Sequence, residues 1–81
     1  MQIEVHLHTV LQLQTEAGLV RLVDVELADS GTARDVMAQL DIAYPEFSLL
    51  VVVNGRVAHL DHLLQDADEL HLMPSISGGM G

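Results

Sequence analysis

The sequence predicts an α+β domain in which one main helix packs on a single sheet of four to five strands. Three observations carry this: an alternating apolar and polar stretch over residues 2–27 interrupted by a glycine turn, a helix-start signature at Thr32 to Asp35, and an Asn54-Gly55 pair between two apolar runs. The first marks a hairpin with one buried face, the second a helix, and the third a tight turn returning into the sheet.

From Gln2 to Gln14 the side chains alternate, with Ile3, Val5, Leu7, Leu11 and Leu13 on one parity and Glu4, His6, His8 and Gln12 on the other. This predicts one long half-buried strand. Glu16-Ala17-Gly18 is a turn, and the alternation resumes over Leu19 to Leu27. Ala28-Asp29-Ser30-Gly31 breaks the pattern. Thr32 followed by Asp35 then has the spacing of a capping box, and Ala33, Val36, Met37 and Leu40 recur at helical spacing as one apolar stripe. The residue before Pro45 is disfavoured in the α conformation, so the helix stops by Tyr44.

Leu49 to Val53 is an unbroken aliphatic run, expected as a central strand covered on both faces or nearly so. Asn54-Gly55 suits a type I′ turn into a short strand over Arg56, Val57 and Ala58. Leu60, Leu63 and Leu64 are expected to close the core from a short helical turn. Gln65 to Asp68 forms a turn, and Glu69 to Met73 a last strand. Residues 1–74 are thus one compact domain and 75–81 a flexible tail.

At 81 residues the chain forms one domain. A domain of this size buries only about 60% of its unfolded surface, and here Leu, Val, Ile, Ala and Met must supply the core. With one Phe, one Tyr, no Trp and a formal charge of −9, it has no platform for stacking bases and repels phosphate, which excludes nucleic acid as the expected partner. Only Arg21, Arg34 and Arg56 oppose 12 acidic residues, and Lys is absent, so the chain cannot form lysine-linked chains with itself. The acidity suits either a basic docking surface on a partner or simple solubility. The absence of Cys removes disulfides, thiolate catalysis and thiol-based zinc sites. No stretch has the pattern of a signal peptide or the length of a membrane span, so a cytoplasmic protein with no membrane partner is expected.

The candidate working part is the tail, Ile76-Ser77-Gly78-Gly79-Met80-Gly81. Adjacent glycines carry no Cβ atoms and thread a narrow channel that ordinary residues cannot. On the body, Val20 and Leu22 share parity with Asp24 and Glu26 and so face outward unless a bulge shifts them; with Val10 across the hairpin they form either a docking patch or scattered surface aliphatics. His6 and His8 share a strand face, with Glu4 as a possible third ligand, and His59 and His62 have helical i, i+3 spacing. Exposed histidines without metal are the commoner arrangement, and no metal is assigned. No serine–histidine pairing or phosphate loop marks an active site, so the chain is expected not to be an enzyme.

The element order, together with VVVNGRV at 51–57, LLQDADELHLMP at 63–74 and SGG at 77–79, resembles the ubiquitin-like sulfur carriers, nearest to the small subunit of molybdopterin synthase and its relatives, which include the thiamine-pathway carrier. Ala43-Tyr44-Pro45-Glu46 is similar to the stretch after that family's helix. The resemblance implies a β-grasp fold, a mixed sheet curled around one helix. It implies that an ATP-dependent activating enzyme adenylates the terminal glycine, here Gly79, and that the acyl adenylate becomes a thiocarboxylate. Gly78, Ser77 and Ile76 would be read by that partner. Because Met80 and Gly81 follow Gly79, a peptidase, typically a zinc-dependent JAMM-type enzyme, would first cut between Gly79 and Met80. The chain itself binds no cofactor in this scheme. A molybdopterin-synthase large subunit or another sulfur-using enzyme would be its further partner. Two other functions stay open: a protein modifier joined to target lysines through the same end, and a noncovalent ubiquitin-like binding module.

Overall fold

The computed structural model describes residues 1–8, 11, 13–15, 18–42, 44–45 and 48–75, with the backbone alone for 13–15. Among the described residues the strands are β1 (Gln2–Leu7), β2 (Leu13–Thr15), β3 (Gly18–Val20), β4 (Leu22–Glu26), β5 (Leu49–Val53), β6 (Arg56–Ala58) and β7 (Glu69–Pro74), with an α-helix, α1 (Ala33–Gln39), between β4 and β5. Five strands form a mixed sheet in the order β4-β1-β7-β5-β6, and β2-β3 form a separate two-stranded ribbon. β1 and β7 run parallel at the centre; β1–β4, β5–β7 and β5–β6 are antiparallel. The β-grasp expected from the resemblance is the observed fold.

One face of the sheet carries Ile3, Val5, Leu7, Val25, Val51, Val53, Leu70 and Leu72, and these cluster with Ala33, Val36 and Met37 of α1. At about 1.5–3 kcal/mol for each large aliphatic side chain, that burial is what holds the domain together. α1 starts as expected: Thr32 Oγ1 accepts from the Asp35 N–H at 3.3 Å, and Asp35 Oδ2 accepts from the Thr32 N–H at 2.9 Å. Its end comes well before Pro45. Asp41 turns left-handed at φ 57°, and its N–H and that of Ile42 donate to Ala38 and Met37 carbonyls, which closes the helix as a Schellman motif.

The expected long strand from Gln2 to Gln14 is instead β1 and β2. His8 N–H donates to Leu72 O beyond the end of β1, and Leu11 N–H donates back to His8 O. Alternation survives this break because Leu11 still points into the core. The return run is likewise interrupted at Arg21, between β3 and β4. β5 is not covered on both faces: Val51 and Val53 are buried, whereas Leu49, Leu50 and Val52 are half-buried. The helix covers one face, and the other is left to flanking side chains. The segment expected to plug the core is a turn, with His62 N–H donating to His59 O, and not a helix. Leu64 enters the core and Leu60 packs on its edge, but Leu63 is 60% exposed. Leu63 lies outside because the chain pairs there with Thr32 as a β-bridge, which directs alternate side chains away from the core.

Asn54 and Gly55 both have positive φ, 51° and 85°, as a type I′ turn requires. This turn and the acidic turn are joined. Asn54 Nδ2 donates to Asp68 Oδ1 at 2.8 Å, Asn54 Oδ1 accepts from the Glu69 N–H at 2.9 Å, and Asp68 Oδ2 accepts from the Gln65 N–H at 2.8 Å. Asp66 Oδ1 accepts from the Gln2 N–H and clamps the same turn to β1. Asp68→Ala strands two donors, one of them on the backbone, and is expected to lower stability by about 1–3 kcal/mol in urea unfolding. Asp61→Ala, which removes an exposed, solvent-screened ion pair to Arg34 at 3.0 Å, should leave the urea midpoint nearly unchanged.

Candidate functional site

β7 positions both candidate regions. It is the central strand and is held on both edges, so the point at which the chain leaves the sheet is fixed: Leu49 pairs with Pro74, and Ser75 N–H donates to Ser48 O at 2.6 Å. Gly78 follows three residues later. Ile76, Ser77, Gly78, Gly79 and Met80 lie outside the described residues, as does Val10.

The open face of the sheet faces away from α1. Register places Leu22, His6, His71, Val52 and Val57 side by side across four neighbouring pairs of strands. One row along, Asp24, Glu4 and Glu69 are aligned, and Met73 pairs with Leu50 on the side nearer the chain's exit from β7. Leu22 is 58% and Val57 71% exposed, while Val20 is half-buried. Of the predicted docking residues, Leu22 is thus on the open face. Leu19, which parity with Val23 and Val25 would send inward, is 60% exposed because the chain bends at Arg21. Val57 and Leu19 were not among the sequence-predicted docking residues.

The histidines assemble differently from either pair read in the sequence. His6 and His71, brought together by the parallel β1–β7 register, stack with ring centroids 4.2 Å apart and planes 13° apart. His8 stacks on His71 at 5.1 Å, with His8 Nε2 2.8 Å from His71 Nδ1. His6 and His71 each meet the carboxylate two residues before them: His6 Nε2 to Glu4 Oε2 and His71 Nε2 to Glu69 Oε1, both 2.7 Å. Burial, then the neighbouring His71, His6 and Arg21, holds His8 below the ordinary value of 6.5. The hydrogen bond from His71 holds the Glu69 carboxyl below its usual range. His71 and Glu69 were invisible as partners of His6 because they lie 65 and 63 positions away and meet it only through the parallel pairing. His59 and His62 sit on a turn, both exposed, beside β6.

A sheet of this order around one helix, with its central strand leading to a diglycine, has a counterpart among known families. The model of the ThiS family matches residues 11–79. This chain belongs to the ThiS family. Solved structures give the same fold for this ThiS-family chain. SAMP1 from Haloferax volcanii is 26% identical with a TM-score of 0.69, over 98% of this chain and 100% of its own. A structure of small archaeal modifier protein 1 from H. volcanii is 25% identical with a TM-score of 0.70, over 91% and 97%. A protein described as subunit 1 of molybdopterin converting factor from Pyrococcus furiosus is 22% identical with a TM-score of 0.69, over 91% and 97%. No protein of curated function matches the sequence. Among the described residues, no helix is long and apolar enough to cross a membrane.

Proposed function

We propose that this ThiS-family chain is a sulfur carrier that acts as co-substrate of partner enzymes rather than as an enzyme. After removal of Met80 and Gly81, the carboxylate of Gly79 attacks the α-phosphate of ATP on an activating enzyme, releasing pyrophosphate and forming an acyl adenylate. A sulfur nucleophile then displaces AMP and leaves a thiocarboxylate for biosynthetic sulfur transfer, as in molybdopterin formation. A carboxylate is a poor electrophile until adenylation provides that leaving group, and the chain itself needs to contribute only presentation. The carrying observation is the placement of β7: a strand paired on both edges runs directly into the segment that holds Gly78-Gly79. Gly78, Ser77 and Ile76 would pass through the partner's channel, and the open face around Leu22, with the adjoining Val20, would rest against the partner's surface.

The small archaeal modifier likeness favours a second reading, conjugation of the same end to target lysines; the lack of Lys in this chain is no obstacle, because the acceptor amine belongs to the target. Incubation of the chain trimmed after Gly79 with the activating enzyme of the same cell, ATP and a sulfur source separates the readings. Mass spectrometry is expected to show a sulfur-for-oxygen exchange at the C-terminus. Isopeptide adducts in lysate without that exchange would favour the modifier, and neither product would leave a noncovalent binding module. Recovery from the native cell of only the form that retains Met80 would overturn processing by a JAMM-type or other peptidase.

A further inference from the structure

We propose that the open face of the sheet carries a binding site for a divalent transition-metal ion, formed by His6, His71 and Glu69. One ligand atom from each lies within 4.8 Å of the others. Two ligands at about 2.0–2.1 Å from a zinc ion are at most about 4.2 Å apart, so the set closes when the stacked His6 and His71 rings turn out of their near-parallel arrangement to aim both nitrogen lone pairs at one ion. Two imidazole nitrogens and one carboxylate oxygen are a donor set suited to zinc and its first-row neighbours. The position toward solvent stays open for water or a partner's side chain.

The surroundings support a ligand role beyond the count of donors. His6 and His71 come from strands whose register fixes the separation of their backbones, and their side chains are only 26% and 22% exposed. Both Nε2 atoms are turned toward carboxylates, which concentrates negative charge where a cation would sit. His71 also has a partner on its other ring nitrogen: His8 Nε2, 2.8 Å from Nδ1. A metal-bound histidine characteristically donates its second N–H to a hydrogen-bond acceptor that fixes the ring, and His8 Nε2 is placed to accept here. Without metal, the contacts are met by the tautomer in which His71 donates from Nε2 to Glu69 and accepts at Nδ1 from His8. With metal on Nε2 its proton resides on Nδ1 and is donated to His8 Nε2, while the His8 proton moves to its own Nδ1. His6 likewise binds through Nε2 and carries its proton on Nδ1, so both rings remain neutral and no redox change is involved. Glu4 stays beside His6 as a further negative group.

The site does not depend on the sulfur-carrier reading, and its test needs only the full, untagged chain. Isothermal titration with zinc at neutral pH is expected to show one ion bound per chain at micromolar concentrations. His6→Gln, His71→Gln and Glu69→Gln should each weaken binding at least about tenfold, and His8→Leu, which removes only the group behind His71, by about 10–100-fold. His59→Gln with His62→Gln should leave it unchanged. In case a variant at position 71 fails to fold, nitrogen-15 NMR of the unsubstituted chain supplies a separate readout: zinc should shift Nε2 of His6 and His71 together. Absence of saturable binding, binding that survives loss of His6 and His71, or shifts confined to His59 and His62 would each overturn the proposal.

Discussion

Replacing Gly78 and Gly79 with valine, in the chain trimmed after residue 79, is expected to reduce adenylation by about a hundredfold or more, because displacing a reacting group by even ~1 Å costs on that order. Each valine adds a branched Cβ where the proposed route to the reacting carbonyl tolerates none, and it also restricts the backbone conformations that glycine permits. Gly78→Ala alone should fall between. The urea midpoint should not move, because every core side chain of the sheet and helix is retained. A loss of adenylation with unchanged stability therefore assigns the effect to the passage of the tail rather than to folding. The form that retains Met80 should give no adenylate in the same assay, since Gly79 then carries a peptide bond in place of a carboxylate. Full activity of the double valine variant would remove the basis for placing the chemistry at this end.

Elements specified by short-range chemistry were legible in the sequence. The capping box at Thr32 and Asp35, the Asn54-Gly55 turn and the inward parity of Ile3, Val5 and Leu7 each depend on residues within a few positions of one another. The resemblance to sulfur carriers supplied a mixed sheet around one helix, but not which strands are neighbours, and the parallel β1–β7 pair is a finding of the structure. The breaks were not legible. Alternation is preserved past the end of β1, because Leu11 returns to the core, so parity gives no sign that the ladder stops there. The aliphatic run of β5 suggested two covered faces, but one helix covers one face; on the other, Val52 lies in a row with His71 and Val57, and Leu50 pairs with Met73. The hydrogen-bonded union of Asn54 with Asp68 explains why the Asn-Gly and acidic turns occur together, a relation that their separation in the chain conceals. For the histidines, the local i, i+2 pair was visible, whereas the decisive neighbour, His71, is supplied by the strand that enters the sheet last.

Leu72→Ala is expected to be among the most damaging single changes to the fold, at about 2–5 kcal/mol. Leu72 is fully buried on β7, paired with Leu7 of β1 on one side and Val51 of β5 on the other, both of which are also buried. The neighbours on three adjacent strands are tied by ladder hydrogen bonds and cannot collapse fully into the space that the side chain vacates. At about 0.05–0.15 kcal/mol per residue, a domain of this length has only about 4–12 kcal/mol in total, so the substitution removes a large share of it. With a urea dependence of roughly 1 kcal/mol/M, the midpoint should fall by about 2 M or more, if the variant folds at all. Leu63→Ala provides the comparison: the same atoms are deleted from a side chain that is 60% exposed, and the expected change is within about 0.5 kcal/mol. Equal losses at the two positions would contradict the one-sided core. The same contrast bears on function, because β7 carries both His71 and the exit toward Gly78. A partly unfolded Leu72→Ala chain should therefore lose zinc binding and adenylation together, whereas the glycine variants should lose only adenylation and the His6 variant only zinc.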